Sequence, residues 1–326
     1  MGLRVTIDMC SGRPNPSWEI TDPDRVHELV TLLEAERDAL GEVGSGYTGL
    51  GFRGVHVDVT ADPRTERSAL GGLPPSFELA GGGTKDASAA AELAERLLAT
   101  IPYDLGEGGG VDVGSTRYAD LVLETARQEV ARTVGNGPDA ATYRATTEEG
   151  PRSTMDEEAL EQLRALRSRD VSCPYDSYPY NPAFWGQPSI EPYNNCYAYA
   201  VSRVVNVFAR PGLAHGYTIP ATMLGFQVAV GCYKDGLNLW GYPCRPEGSL
   251  RFVIALYTGA FPSGFRDFHF YRWHAEGYWS HKHAGNAVRR TDASGNLITD
   301  LSTMNPGTVY TEYYALFQSH NTVVIA

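Results

Sequence analysis

Twenty-eight of the 35 aromatic residues in this 326-residue chain lie after residue 170. Charge runs the other way. Residues 1–170 hold 17 Lys and Arg against 30 Asp and Glu, whereas residues 171–326 hold 10 against 9. Two compositions this different argue for two cores, and the length is enough for two ordinary domains. The sequence therefore predicts a small acidic domain, α+β or α/β and read here as of α/β type, over residues 1–135. A linker and charged helix follow over 136–170, and an aromatic-rich domain occupies 171–326.

The net charge of −12 repels nucleic acid and anionic lipid, so neither is expected as a partner. No run approaches the roughly 20 apolar residues of a membrane span. Met1 to Asp8 lacks the basic and then apolar order of a signal peptide, so a cytoplasmic location is expected. The five cysteines, Cys10, Cys173, Cys196, Cys232 and Cys244, are odd in number, widely spaced and free of any CxxC pair. That pattern argues against a disulfide framework and against a structural zinc site of the usual spacing.

Leu3 to Asp8 alternates as a strand does, and Ser11 to Pro16 is a turn cluster. Asp22 and Pro23 suit the cap and first position of a helix whose apolar stripe is Val26, Leu29, Val30 and Leu33. Val55, Val57 and Val59 predict a strand. Helices are predicted over 89–101 and 119–134. The glycine triplets at 81–83 and 108–110 are not followed by the Lys-Ser/Thr of a phosphate loop and read as loops. Thr154 to Glu157 has capping-box form and opens the charged helix, which runs to about Arg169.

In the second half, Asn194 or Asn195 can cap a helix that begins at Cys196 and runs to Val207. A cysteine in a first helical turn meets free backbone N–H groups that favour a thiolate and can bind an oxyanion. The bland alternative is an ordinary buried thiol. Further on, residues 251–257, 267–272 and 278–283 read as three strands. The last two are joined by the turn Ala275-Glu276-Gly277, which places His269 and His281 on neighbouring antiparallel strands. A helix-borne Cys followed by a strand-borne His is the general arrangement of a thiol hydrolase.

The order of these elements, with the segment from His269 to Asp292, resembles papain-like amidases of the NlpC/P60 type over about residues 193–292. The resemblance implies an α+β fold class, with a papain-like C-terminal domain in which a Cys-bearing helix N-terminus packs on an antiparallel sheet. It implies Cys196 as nucleophile, His269 as base and His281 as the orienting residue. Gln187, upstream of the Cys, would donate to the oxyanion, or Asn194 or Asn195 would do so instead. Asp300 and Asn305 are further candidates to orient a base, but the Gly and Pro around them read as turns.

The expected function is then cysteine-nucleophile amide hydrolysis or acyl transfer on a peptide-like substrate through a thioester, with no cofactor and no metal. Two alternatives stand beside it. One is a non-catalytic module that keeps the fold and binds a peptide or partner, for which the run Tyr175, Tyr178, Tyr180, Phe184, Trp185 and Tyr193 supplies an aromatic wall or simply covers the core. The other is a metal-binding protein built on His269, His274, His281 and His283, against which no carboxylate completes a familiar ligand spacing.

Overall fold

The computed structural model describes residues 2–47, 49–60, 72–105, 118–135, 174–176, 178–221, 225–239, 250–320 and 322–326. The expected linker and charged helix over 136–170, the 108–110 glycines, Cys173 and Cys244 fall outside them. The chain divides into two compact units. One comprises Met1–Met9, Asn15–Tyr143 and Phe261–Phe265, and the other comprises Cys10–Pro14, Arg144–Ala260 and Arg266–Ala326. The fold class is α+β, with one antiparallel sheet in each unit.

The first unit holds β1 (Gly2–Asp8), β2 (Ser17–Ile20), β3 (Gly54–Thr60) and β4 (Ser76–Leu79) in the order β2-β1-β3-β4. Its strands all pair antiparallel, so this half is α+β rather than α/β. The helix α1 (Pro23–Ala35) returns the chain so that β3 runs antiparallel to β1, rather than crossing over to a parallel strand. Leu3, Val5 and Ile7 of β1 point into the core, as their alternation requires. Asp22 caps α1 by accepting from the Arg25 N–H, and Val26, Leu29, Val30 and Leu33 are its buried stripe. α2 (Ala87–Leu98) is capped by Asp86, and α3 (Tyr118–Thr133) packs beside it.

The second unit carries α4 (Pro182–Trp185), α5 (Cys196–Ala200) and α6 (Gly225–Lys234). Its sheet has the order β5-β10-β6-β7-β8-β9. The strands are β5 (Asn238–Leu239), β6 (Arg251–Ala260), β7 (Arg266–Trp273), β8 (Trp279–Lys282), β9 (Val288–Arg289) and β10 (Glu312–His320). The β7–β8 turn closes at Gly277, whose φ of 84° is the left-handed value that glycine tolerates.

The helix expected to run from Cys196 to Val207 stops after five residues. Ser202 takes φ 57°, its N–H returns to Tyr199 O, and the Arg203 N–H returns to Ala198 O. That pair of bonds is a Schellman closure, which satisfies the last carbonyls and ends the helix.

Sheet alternation sorts this unit into two faces. Phe252, Ile254 and Leu256 of β6, with Phe268 and Phe270 of β7, join Cys196, Tyr197 and α6 in one apolar cluster. Asp267, His269 and Tyr271 of β7, and His281 of β8, fall on the opposite face.

Candidate functional site

Cys196 sits at the start of α5, as the sequence predicts, and Asn195 is its cap, accepting from the Ala198 N–H at 3.1 Å. The surroundings are not those of a reactive thiol. Cys196 is fully buried in the apolar cluster, and its Sγ donates to Phe268 O at 3.9 Å. Burial, and next the Asp267 carboxylate, push its pKa well above the ordinary thiol value. A five-residue helix also offers little dipole to offset that desolvation.

The structure does not bring Cys196 to His269. The thiol packs with Phe268 and Phe270, and His269 lies between those two residues on the strand, so it projects from the other face. Nor do the expected oxyanion donors face an open site. Asn195 is buried, and its Nδ2 donates to Gly12 O at 2.5 Å and Ala209 O at 2.8 Å. Asn194 is likewise consumed by Ile190 O and by the Val205 and Asn206 N–H groups. Gln187 is exposed in the turn after α4. Asp300 accepts from the backbone and hydroxyl of Ser302, the turn role that its neighbours imply.

What the structure does bring together is His269, His281 and His283. Their exposures are 0, 2 and 3%. One ring nitrogen from each lies within 4.8 Å of those of the other two. His269 Nε2 is 2.8 Å from His281 Nδ1, and His281 Nε2 is 2.9 Å from Thr291 O. A carbonyl only accepts, so His281 carries its proton on Nε2 and turns a lone pair on Nδ1 toward His269. Burial holds the His281 pKa down to about 4, which keeps the ring neutral. The Tyr271 ring stacks on His281 at 4.9 Å. His274, grouped with these three by sequence, lies elsewhere, against Tyr199 and Ser280.

Beside the histidines is a second buried polar centre that sequence reasoning missed. The Asp267 carboxylate accepts from the N–H groups of Ser11, Gly12 and Arg13 at 2.6 to 3.1 Å, and from the Tyr310 hydroxyl at 2.6 Å. A Cβ on Gly12 would stand 2.3 Å from the Phe268 ring. The signal available was that Asp267 shares the alternation of His269, together with a glycine inside the Ser11–Pro14 turn. The other face of β8 has its own buried charge. Lys282 Nζ donates to the carbonyls of Glu191, Ala284 and Asn286 at 2.6 to 2.9 Å.

The same sheet face as the histidines carries a cavity of about 820 Å³. Tyr257, Trp273, Trp279 and Tyr313 give it an aromatic lining, and Val253, Leu301, Met304 and Leu316 an aliphatic one. Among the described residues of its wall, Asp300 is the one carboxylate. Of the aromatic run that the sequence offered as a cleft wall, Tyr175 alone lines this cavity. Trp185 packs against Tyr199 and Tyr180 in a separate buried cluster.

No family model and no solved structure matches the chain. A curated relative is the Insoluble matrix shell protein 1 of Ruditapes philippinarum, 38% identical over 128 residues, which are 39% of this chain and 81% of the relative. The chain belongs to that protein's family. More than half of this member of the Insoluble matrix shell protein 1 family lies outside the matched stretch. Among its described residues no helix is long and apolar enough to cross a membrane.

Proposed function

We propose that the aromatic-rich unit of this Insoluble matrix shell protein 1 family member is a non-catalytic binding module. Its cavity would seat an apolar, aromatic-bearing segment of a partner polypeptide. The observation that carries the reading is the lining of the cavity on the open sheet face. Rigid Trp and Tyr rings supply contact area, while Met304, Leu301 and Leu316 adapt to inserted side chains. Asp300 on the wall suits a Lys or Arg beside the apolar segment. A sugar site would need a denser set of polar groups among the rings. The relative is named for an insoluble matrix, a setting in which holding a partner is a sufficient task. Thiol amidase chemistry is less well supported, because it needs a reachable thiolate beside His269, and Cys196 is a buried thiol on the opposite face.

The test is a titration of the full chain, read by tryptophan fluorescence, with short peptides carrying Phe, Tyr and Arg and, separately, with a chito-oligosaccharide. A saturable change with a peptide is expected, weakened about tenfold or more in Trp279→Ala, as for a central aromatic anchor. No saturable change with any peptide, or equal affinity in a folded Trp279→Ala variant, would overturn the reading.

A further inference from the structure

The three buried histidines each turn a ring nitrogen toward a common point. Their planes are splayed, at 86° for His269 against His281, 82° for His269 against His283 and 67° for His281 against His283. The centroids are 4.7 to 5.6 Å apart. Splayed rings whose nitrogens converge resemble ligands about a common centre. Edge-to-face rings are also an ordinary packing geometry, so the convergence of one nitrogen from each ring within 4.8 Å is what points to a ligand set. Their scaffold is rigid. β7 and β8 pair in register with Tyr271 opposite His281, and His281 and His283 are two residues apart on one face.

We propose that His269, His281 and His283 form a buried binding site for a borderline divalent metal ion of the zinc class, with three imidazole nitrogens as ligands. The donor set selects the ion. Neutral imidazole suits zinc, copper, nickel and cobalt, whereas calcium and magnesium take oxygen ligands. Among the described residues the group contains no Cys, Asp or Glu, so one position of a tetrahedral ion is left for a non-protein ligand.

The geometry needs little adjustment. Two nitrogens each about 2.0–2.1 Å from a tetrahedral zinc stand about 3.3 Å apart, so the 2.8 Å pair of His269 and His281 opens by about half an ångström. The outer partner is in place as well. His281 Nε2–H donates to Thr291 O, the backbone contact that fixes the tautomer of a metal-bound histidine and leaves Nδ1 to ligate. On binding, His269 keeps one proton, moved from Nε2 to Nδ1, so the neutral site gains the ion without a redox step. This site is independent of the peptide reading above, and either stands if the other fails.

The experiment loads the full chain, stripped with phenanthroline, with zinc alone or with cobalt, both by direct addition and by refolding in the presence of the ion, because the ligands are buried. One ion per chain is expected, with a melting temperature that rises with zinc concentration. The cobalt form should show tetrahedral visible bands and no thiolate charge-transfer band. His269→Asn, His281→Gln and His283→Asn should each lower zinc affinity at least tenfold, while His274→Asn should leave it unchanged. Failure of the wild-type chain to take up either ion by both routes overturns the proposal. A thiolate band, or undiminished affinity in any of the three variants that keeps its near-ultraviolet circular dichroism, overturns it too. Should one variant fail to fold, the cobalt spectrum of the wild-type chain still decides.

Discussion

The Tyr310 hydroxyl donates to Asp267 Oδ2 at 2.6 Å inside the second unit, and the same carboxylate gathers three successive backbone N–H groups from Ser11 to Arg13. One buried acid thus ties the Cys10–Pro14 segment to β7 and to the residue two places before β10. Arg13, also buried, extends the tie by donating to the carbonyls of Arg266, Ile219 and Pro220. Removing the acid would strand four donors at once. Asp267→Ala is expected to cost about 4 kcal/mol or more, and Tyr310→Phe about 1–2 kcal/mol, by the usual cost of orphaned buried hydrogen-bonding groups. Urea unfolding followed by near-ultraviolet circular dichroism measures both. Equal and small losses would mean that the carboxylate is not the centre of this network.

Gly12 makes a separate prediction about the same segment. A Cβ there would come within 2.3 Å of two atoms of the Phe268 ring and 2.6 Å of Phe268 O. The ring is wedged in the core, so it cannot swing away without repacking. Gly12→Ala is expected to destabilise by about 2–3 kcal/mol. Gly12→Ala in a Phe268→Leu background should cost less, and a double-mutant cycle reads the coupling.

These two residues show where the sequence was and was not legible. Strand alternation placed His269 and His281 on neighbouring strands, and the capping pattern placed Asn195 before Cys196, because both signals are local in the chain. The cap and apolar stripe of α1 were legible for the same reason. The face on which Cys196 lies was not, although the alternation of β7 contained half of the answer: Phe268 and Phe270 belong to a core and His269 between them cannot. The other half, which side α5 packs on, is a long-range fact. Asp267 and its partners near residue 11 are separated by some 255 positions, and no local pattern reports such a contact. The length of α5 was misread because Val204, Val205 and Val207 continue an apolar pattern, while Ser202 turns the chain out of the helix by a positive φ that sequence does not announce.

The burial of Cys196 sets its reactivity. With the pKa pushed up and the sulfur enclosed, iodoacetamide is expected to label Cys196 in the native protein far more slowly than a free thiol at pH 8, and at model-thiol rate in urea. Peptide mapping after a timed exposure identifies the site. Cys196→Ala should leave binding of peptide and zinc intact and cost about 1–2 kcal/mol of stability through the small cavity it opens. Rapid native labelling at Cys196 would restore the thiol hydrolase reading.

The last prediction concerns acid. His274 is buried, and its Nδ1 lies 3.2 Å from Tyr178 O, so Nδ1 carries the proton and Nε2 accepts from the Ser280 hydroxyl, which in turn accepts from the Tyr199 hydroxyl. A second proton would have to enter on Nε2, in a buried site close to the Arg272 guanidinium, which lies 4.3 Å from the Tyr199 ring centre. Burial first, and Arg272 next, hold the His274 pKa down to about 4 from an ordinary 6.5. The sign follows from proton counts. Between pH 6.5 and 4 the unfolded chain binds a proton that the folded chain refuses, so stability is present above pH 6.5 and is lost as pH falls through 4. His281, held down by burial to about 4 as well, titrates in the same window. Each of the two contributes a slope of at most about 1.4 kcal/mol per pH unit. In chelator, to keep metal out of the comparison, His274→Asn should be less stable than the parent at pH 7, because its side chain fits the hydroxyl pair poorly, yet its slope between pH 6.5 and 4 should be shallower by up to about 1.4 kcal/mol per pH unit. Urea midpoints measured across that range decide it. An unchanged slope would assign the acid sensitivity to other groups and remove His274 from the account.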